Sequence, residues 1–134
     1  MYNRVTLVGR LGADPESRKT QTGTAMTSFS LATSASWKNK AGKKETKTDW
    51  HRIVAFNRLA DFCRQYISKG NLVLVEGCLS NRVREKNGNS QKSIVTEIVA
   101  NSVHPLEKTA KSRPPEDEDG KWLEAEITEI DMPL

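Results

Sequence analysis

The stretch Thr48-Asp49-Trp50-His51-Arg52-Ile53-Val54-Ala55-Phe56, followed at once by Asn57-Arg58-Leu59-Ala60-Asp61-Phe62-Cys63-Arg64-Gln65-Tyr66-Ile67-Ser68-Lys69-Gly70, decides the fold. Its first nine residues read as a strand. Period two puts Trp50, Arg52, Val54 and Phe56 on one face and His51, Ile53 and Ala55 on the other. A barrel interior accepts Ile53 and Ala55 but not a guanidinium, so the Trp/Arg/Phe face is expected to point outward. The period then changes. Leu59, Phe62, Cys63, Tyr66 and Ile67 recur at i, i+3, i+4, i+7 and i+8, which is one face of a helix. Asn57 suits the N-cap and Gly70 the C-terminal stop, so the helix is expected over Arg58–Ser68 with its apolar stripe on the sheet.

Outward from this centre, β-forming runs occupy Met1–Arg10, Met26–Trp37, Asn71–Leu79 and Ser93–Val103. Between them, residues Gly12–Thr24 are turn-rich, Lys38–Lys47 is polar around Gly42, and Asn81–Lys92 holds the hairpin signal Asn87-Gly88-Asn89. Three strands, a helix and two strands is the order of the OB-fold, an all-β, five-stranded Greek-key barrel, although other small barrels also permit an inserted helix. From Pro114 the composition turns acidic and sparse in apolar residues, a segment without its own core. The organisation read from this is a barrel domain over 1–106, a short linker over 107–120 and an acidic C-terminal tail over 121–134.

The net charge of +4 hides a division. Residues 1–113 carry 20 Lys and Arg against 9 Asp and Glu, whereas 114–134 carry Lys121 against eight acids. A body at +11 points to a polyanion, and a tail at −7 is expected to compete weakly with that polyanion. No run of 18 apolar residues argues for a membrane helix, and the strand-like start at Met1-Tyr2-Asn3-Arg4 leaves no room for a secretory signal. Two cysteines, Cys63 and Cys78, are too few for a disulfide framework or a Cys-based zinc site and read as core residues. A cytoplasmic, nucleoid-associated protein is expected.

Trp50 and Phe56 on an exposed face, with Arg52 between them, suit stacking on unpaired bases. Their alternative is packing beneath a loop. Lys38, Lys40, Lys43, Lys44 and Lys47 in one loop, and Arg82, Arg84, Lys86 and Lys92 in another, can neutralise phosphates. Stacking favours unpaired bases because a duplex hides their faces, so the combination reads single strands. Neither His51 nor His104 has a ligand set nearby, and neither a phosphate-binding Gly-rich loop nor a dinucleotide fingerprint is present. The sequence therefore calls for no catalytic residue, metal or cofactor.

Three stretches resemble the bacterial single-stranded DNA-binding protein family: Asn3-Arg4-Val5-Thr6-Leu7-Val8-Gly9-Arg10-Leu11-Gly12-Ala13-Asp14-Pro15-Glu16, Ser30-Leu31-Ala32-Thr33-Ser34-Ala35-Ser36-Trp37, and Thr48–Phe56 continuing through Lys69-Gly70 and Val75-Glu76-Gly77. The resemblance spans about residues 1–105. It implies an OB-fold homotetramer that wraps single-stranded DNA with little sequence preference. It implies base stacking by Trp37, Trp50 and Phe56, and phosphate or base contacts by Arg4, Lys38, Lys40, Lys43, Lys44, Arg52, Arg58, Lys69, Arg82, Arg84, Lys86 and Lys92. His51 is implied at a subunit interface, and the C-terminal Asp131, Met132, Pro133 and Leu134 in docking replication and repair proteins. Two positions depart from the family pattern. Arg84 stands where a third tryptophan is usual, and Leu134 where the terminal residue is usually Phe; the smaller side chain loses on the order of 1 kcal/mol of burial in a partner pocket.

A second class of function is an assembly adaptor, an OB barrel that mainly docks replication proteins, with Trp37, Trp50 and Phe56 lining a protein interface. A third, a nuclease, needs a carboxylate cluster that the sequence lacks. Single-stranded RNA is a substrate variant, because stacking does not sense the 2′-hydroxyl.

Overall fold

The computed structural model describes residues 1–85 and 92–107. In chain order its elements are β1 (Val5–Leu11), β2 (Glu16–Lys19), β3 (Ala25–Lys38), β4 (Lys44–Phe56), α1 (Asn57–Tyr66), β5 (Leu72–Glu85) and β6 (Lys92–Pro105). The sheet order is β1-β5-β6-β4-β3-β2, and β1 pairs in addition with β3. Strands β1, β5, β6, β4 and β3 therefore close into a ring, which removes the sheet edges those strands would otherwise expose. The β4–β6 pairing is parallel and the rest are antiparallel. This is the expected OB barrel, with the helix between its third and fourth strands.

Period two works inside the ring. Phe29 and Leu31 of β3 lie opposite Ile53 and His51 of β4, and Phe29, Leu31 and Ile53 join Ala55, Val73, Val75, Ile98 and Ala100 in one core. The helix closes an end of it with Leu59 and Cys63, joined by Ile67 just after the helix, while Phe62 and Tyr66 sit half-buried with ring centroids 5.4 Å apart. Thr27, buried beneath the helix, donates its hydroxyl to the Ala60 carbonyl at 2.8 Å. Burial also pushes the Cys63 thiol above its ordinary range, so it stays a neutral core side chain. Ring closure brings backbones together at Gly9, where a Cβ would come within 2.1 Å of the Ala32 carbonyl oxygen.

Several boundaries differ from the sequence reading. The helix begins one residue early, with Phe56 at its cap, so Asn57 is not the N-cap. Asn57 instead turns the chain at φ 59, a left-handed conformation that asparagine tolerates better than most residues. The helix ends at Tyr66, and Ile67 takes an extended conformation. Within the segment read as a loop, Glu16–Lys19 forms β2 along β3; its four exposed polar residues carry no alternation to announce a strand.

The lysine segment is also mostly strand. The ladder between β3 and β4 runs unbroken from Met26 opposite Phe56 to Lys38 opposite Lys44, leaving only Asn39–Lys43 to turn. Asn39 Oδ1 accepts from the Ala41 and Lys43 amides, and Gly42 supplies φ 77. Likewise Arg82 and Arg84 lie on β5, not in a loop, and Lys92 opens β6. The Asn87-Gly88-Asn89 turn, Lys86, the segment 108–120 and the tail with Asp131, Met132, Pro133 and Leu134 lie outside the described residues.

Candidate nucleic-acid interface

Beyond the barrel, β3 and β4 continue as a two-stranded ribbon from Ser34 opposite Thr48 to Lys38 opposite Lys44, with every residue exposed. Its tip gathers Trp37 with Lys38, Lys40, Lys43 and Lys44. Trp37 is 46% exposed. These lysines are exposed on the ribbon, which also carries Glu45 opposite Trp37.

Nearer the barrel, Trp50 is 61% exposed. Its indole lies over Gly12: a Cβ there would come within 2.4 Å of the ring. Gly12 is held in turn by its amide, which donates to the Ser30 carbonyl at 3.1 Å. Trp50 is thus a flat ring braced from behind by backbone and open in front, the geometry a stacking platform needs. Two residues along β4, Arg52 lies opposite Ser30 on the same face. The same outward face continues across neighbouring strands. Arg18 of β2, Arg52 of β4, and Arg82 and Arg84 of β5, with Val83 and Val95, line a cleft of about 470 Å3. Glu97 of β6 reaches Arg82 at 2.8 Å and Arg52 at 3.4 Å.

Phe56 corrects the reading of β4. It shares the parity of Trp50 and Arg52, yet it is only 7% exposed, and Val54 is 1% exposed. Along β4 exposed residues give way to half-buried and then buried ones up to Phe56, the cap residue of α1, so its outward side chains lose solvent toward the helix. An open face holds for Trp50 and Arg52 and fails for Phe56, which offers no free ring. Trp37 carries a second difference. Its ladder partner is Glu45, so it falls on the parity of Leu31 and His51, opposite to that of Trp50. The two exposed indoles fall on opposite faces of the β3–β4 ladder.

The remaining sequence-derived positions are dispersed. Arg4 precedes β1 and pairs with Glu76. Arg58 is exposed in the first turn of α1. Lys69 lies in the turn after the helix, where its backbone amide donates to Asp14 at 2.8 Å. Lys92 lies opposite Glu85 in the hairpin, off the parity of Arg82 and Arg84. His51 is half-buried, with Nε2 2.7 Å from the Thr33 hydroxyl, on the face away from Trp50. Sequence reasoning missed Arg18, Gly12 and Glu97. Arg18 sits in a strand without periodicity. Gly12 has the look of a turn residue, and Glu97 of one polar position in an alternating strand.

One further pair fixes the far end of the barrel. Arg10 makes a bidentate contact with Glu107, at 2.8 and 2.9 Å, and bonds the Gly70 carbonyl at 3.0 Å. The hydrogen bonds from Arg10 hold the Glu107 carboxyl below the usual carboxylate range. Among the described residues no helix is long and apolar enough to cross a membrane.

Known proteins are similar to this chain in sequence and in fold. A single-stranded DNA-binding protein 1 from Chlorobaculum tepidum is 44% identical over 104 residues, covering 78% of this chain and 64% of that protein. One of the same name from Xylella fastidiosa is 44% identical over 108 residues, covering 79% and 78%. Among solved structures, the Plasmodium falciparum SSB in complex with ssDNA superposes with a TM-score of 0.72 at 34% identity, over 80% of this chain and 97% of that one. A deletion mutant of the single-stranded DNA binding protein from Thermus aquaticus gives 0.68 at 30% identity, over 82% and 53%. The model of the single-strand binding protein family matches residues 2–106. The chain, from its second residue to the end of its barrel, belongs to the single-strand binding protein family.

Proposed function

We propose that this protein coats and protects single-stranded DNA without reading its sequence, in replication, recombination and repair. The observation that carries the reading is Trp50: an exposed indole backed by Gly12 and flanked on the same face by Arg52. Stacking contributes roughly 1–3 kcal/mol per base, and the arginines and lysines add a term that falls with salt. Trp50 and Trp37 serve as stacking surfaces. Arg18, Arg52, Arg82 and Arg84 on the barrel, and Lys38, Lys40, Lys43 and Lys44 on the ribbon, contact phosphates. Binding alone is the activity; no bond is made or broken.

The relative from Plasmodium falciparum, solved with ssDNA, supports this reading. Four copies assembling as a homotetramer, with His51 at a subunit interface, would place four such faces along one strand. The acidic tail, ending Asp131-Met132-Pro133-Leu134, would serve replication and repair proteins as a docking peptide in the cytoplasm around the nucleoid. Titrating intrinsic tryptophan fluorescence with poly(dT) tests the central claim: strong quenching at sub-micromolar concentration supports DNA coating, and none supports a protein-docking role. Sedimentation with and without an oligonucleotide tests the tetramer.

A further inference from the structure

Among the described residues Glu97 is the one charged residue that is buried, 7% exposed, although it lies against two arginines of the basic surface, Arg52 and Arg82. Buried carboxylates are rare unless paired. One oxygen, Oε1, is shared by two arginines from different strands: 2.8 Å from Arg82 Nη2 and 3.4 Å from Arg52 Nε. Neither approach has hydrogen-bond alignment, since Glu97 Oε1 and the buried Arg52 Nε both lack a hydrogen-bond partner. The contact is ionic and shared. It restrains both guanidiniums while leaving their donors uncommitted. The Arg52 and Arg82 side chains are themselves 39% and 55% exposed and, with Arg18 and Arg84, line the 470 Å3 cleft.

We propose that Glu97 is a positioning residue for phosphodiester binding: its buried oxygen holds Arg52 and Arg82 from below so that their outward N–H groups converge, with Arg18 and Arg84, on a phosphate of the bound strand. The proposal rests on the single-stranded DNA reading and assigns an acid a favourable part in it. Without the carboxylate the two guanidiniums repel. Arg52 then keeps a buried Nε with no counter-charge, and both long side chains gain rotamer freedom that binding must remove again. Charge counting alone gives the opposite sign, because Glu97→Gln adds one positive charge to a protein that binds a polyanion.

The test is a fluorescence titration of the full chain with oligo(dT) at several salt concentrations, with thermal unfolding followed for each variant. E97Q should bind about tenfold more weakly, equivalent to about 1.4 kcal/mol. Its slope of log affinity against log salt should flatten by about 0.7, the weight of one neutralised phosphate. Glu97→Asp, which keeps the charge, should recover most of the affinity. E97Q binding as well as or better than the parent, or E97D as poor as E97Q, overturns the proposal. If E97Q does not fold, Arg52→Gln, Arg82→Gln and their double variant decide it. Coupling through one oxygen makes their losses non-additive, and strict additivity overturns the proposal. A parent protein that shows no quenching sinks the DNA reading itself, a result distinct from any failure at Glu97.

Discussion

Strands β3 and β4 pass through two environments, and comparing them separates what folds this protein from what it presents. From Met26 to Ala32, opposite Phe56 to Trp50, the ladder is barrel wall and includes Leu31 and Ile53, which solvent does not reach. From Ser34 to Lys38, opposite Thr48 to Lys44, the same ladder continues with no break in register and both faces exposed. Cross-strand hydroxyl pairs, Ser34 with Thr48 and Ser36 with Thr46, sit where the wall has hydrophobic contacts. Backbone pairing alone therefore does not distinguish the halves. The wall is specified by burial and tolerates little change, whereas the ribbon is specified by its turn and is free to carry lysines and an indole.

Substitutions should sort by this boundary. Leu31→Ala in the wall removes a side chain with no exposure and should cost about 2–5 kcal/mol of stability, measured by urea unfolding. A cost below ~1 kcal/mol would dissolve the contrast. Trp50→Ala, where the wall gives way to the ribbon, should weaken DNA binding by about 1–3 kcal/mol while leaving the unfolding midpoint nearly unchanged. A destabilised variant would place that ring in the core. Gly12→Ala sharpens the point: its methyl group meets the Trp50 ring, so the indole must leave its rotamer or move. That should cost binding about 1 kcal/mol, with altered tryptophan emission before any DNA is added.

Changing Lys43 and Lys44 together to Ala at the ribbon tip should flatten the salt slope by about 0.7 for each phosphate left without its lysine, with stability unaffected. The smallest effect belongs to Arg10 and Glu107. Because the folded pKa of Glu107 is depressed, its contribution to stability is present above the ordinary carboxylate range and lost as pH falls through the folded value. The unfolding temperature should therefore drop slightly more on acidification in the parent than in Arg10→Met. Equal drops would show that the pair does no more than an ordinary surface ion pair.

The same boundary explains what can be read from the amino acids. Where one face is buried, alternation and helical periodicity expose the element, and β1, the barrel half of β3, α1 and the start of β5 are legible for that reason. The ribbon, β2 and the outer part of β5 bury nothing, so polar residues such as Glu16–Lys19 and Lys44–Lys47 resemble loop although their backbones pair. Phe56 misleads in the other direction. Parity assigns a side chain to a face, but Phe56 and Val54 are covered on the outward face as well, and only the tertiary arrangement reveals it. Glu97 is illegible because its meaning depends on Arg52 and Arg82 arriving from other strands.

The opposite parity of Trp37 and Trp50 sets a condition on any polymer that uses both. A flexible strand lying flat along one side of the β3–β4 ladder meets a single indole. To reach the other it has to bend over the ribbon's rim, passing the lysines at the tip or crossing beside β4. A stiff duplex resists so tight a bend, whereas an unpaired chain makes it readily. The spindle-like ribbon would then discriminate by the bending stiffness of its guest as well as by the faces of its bases.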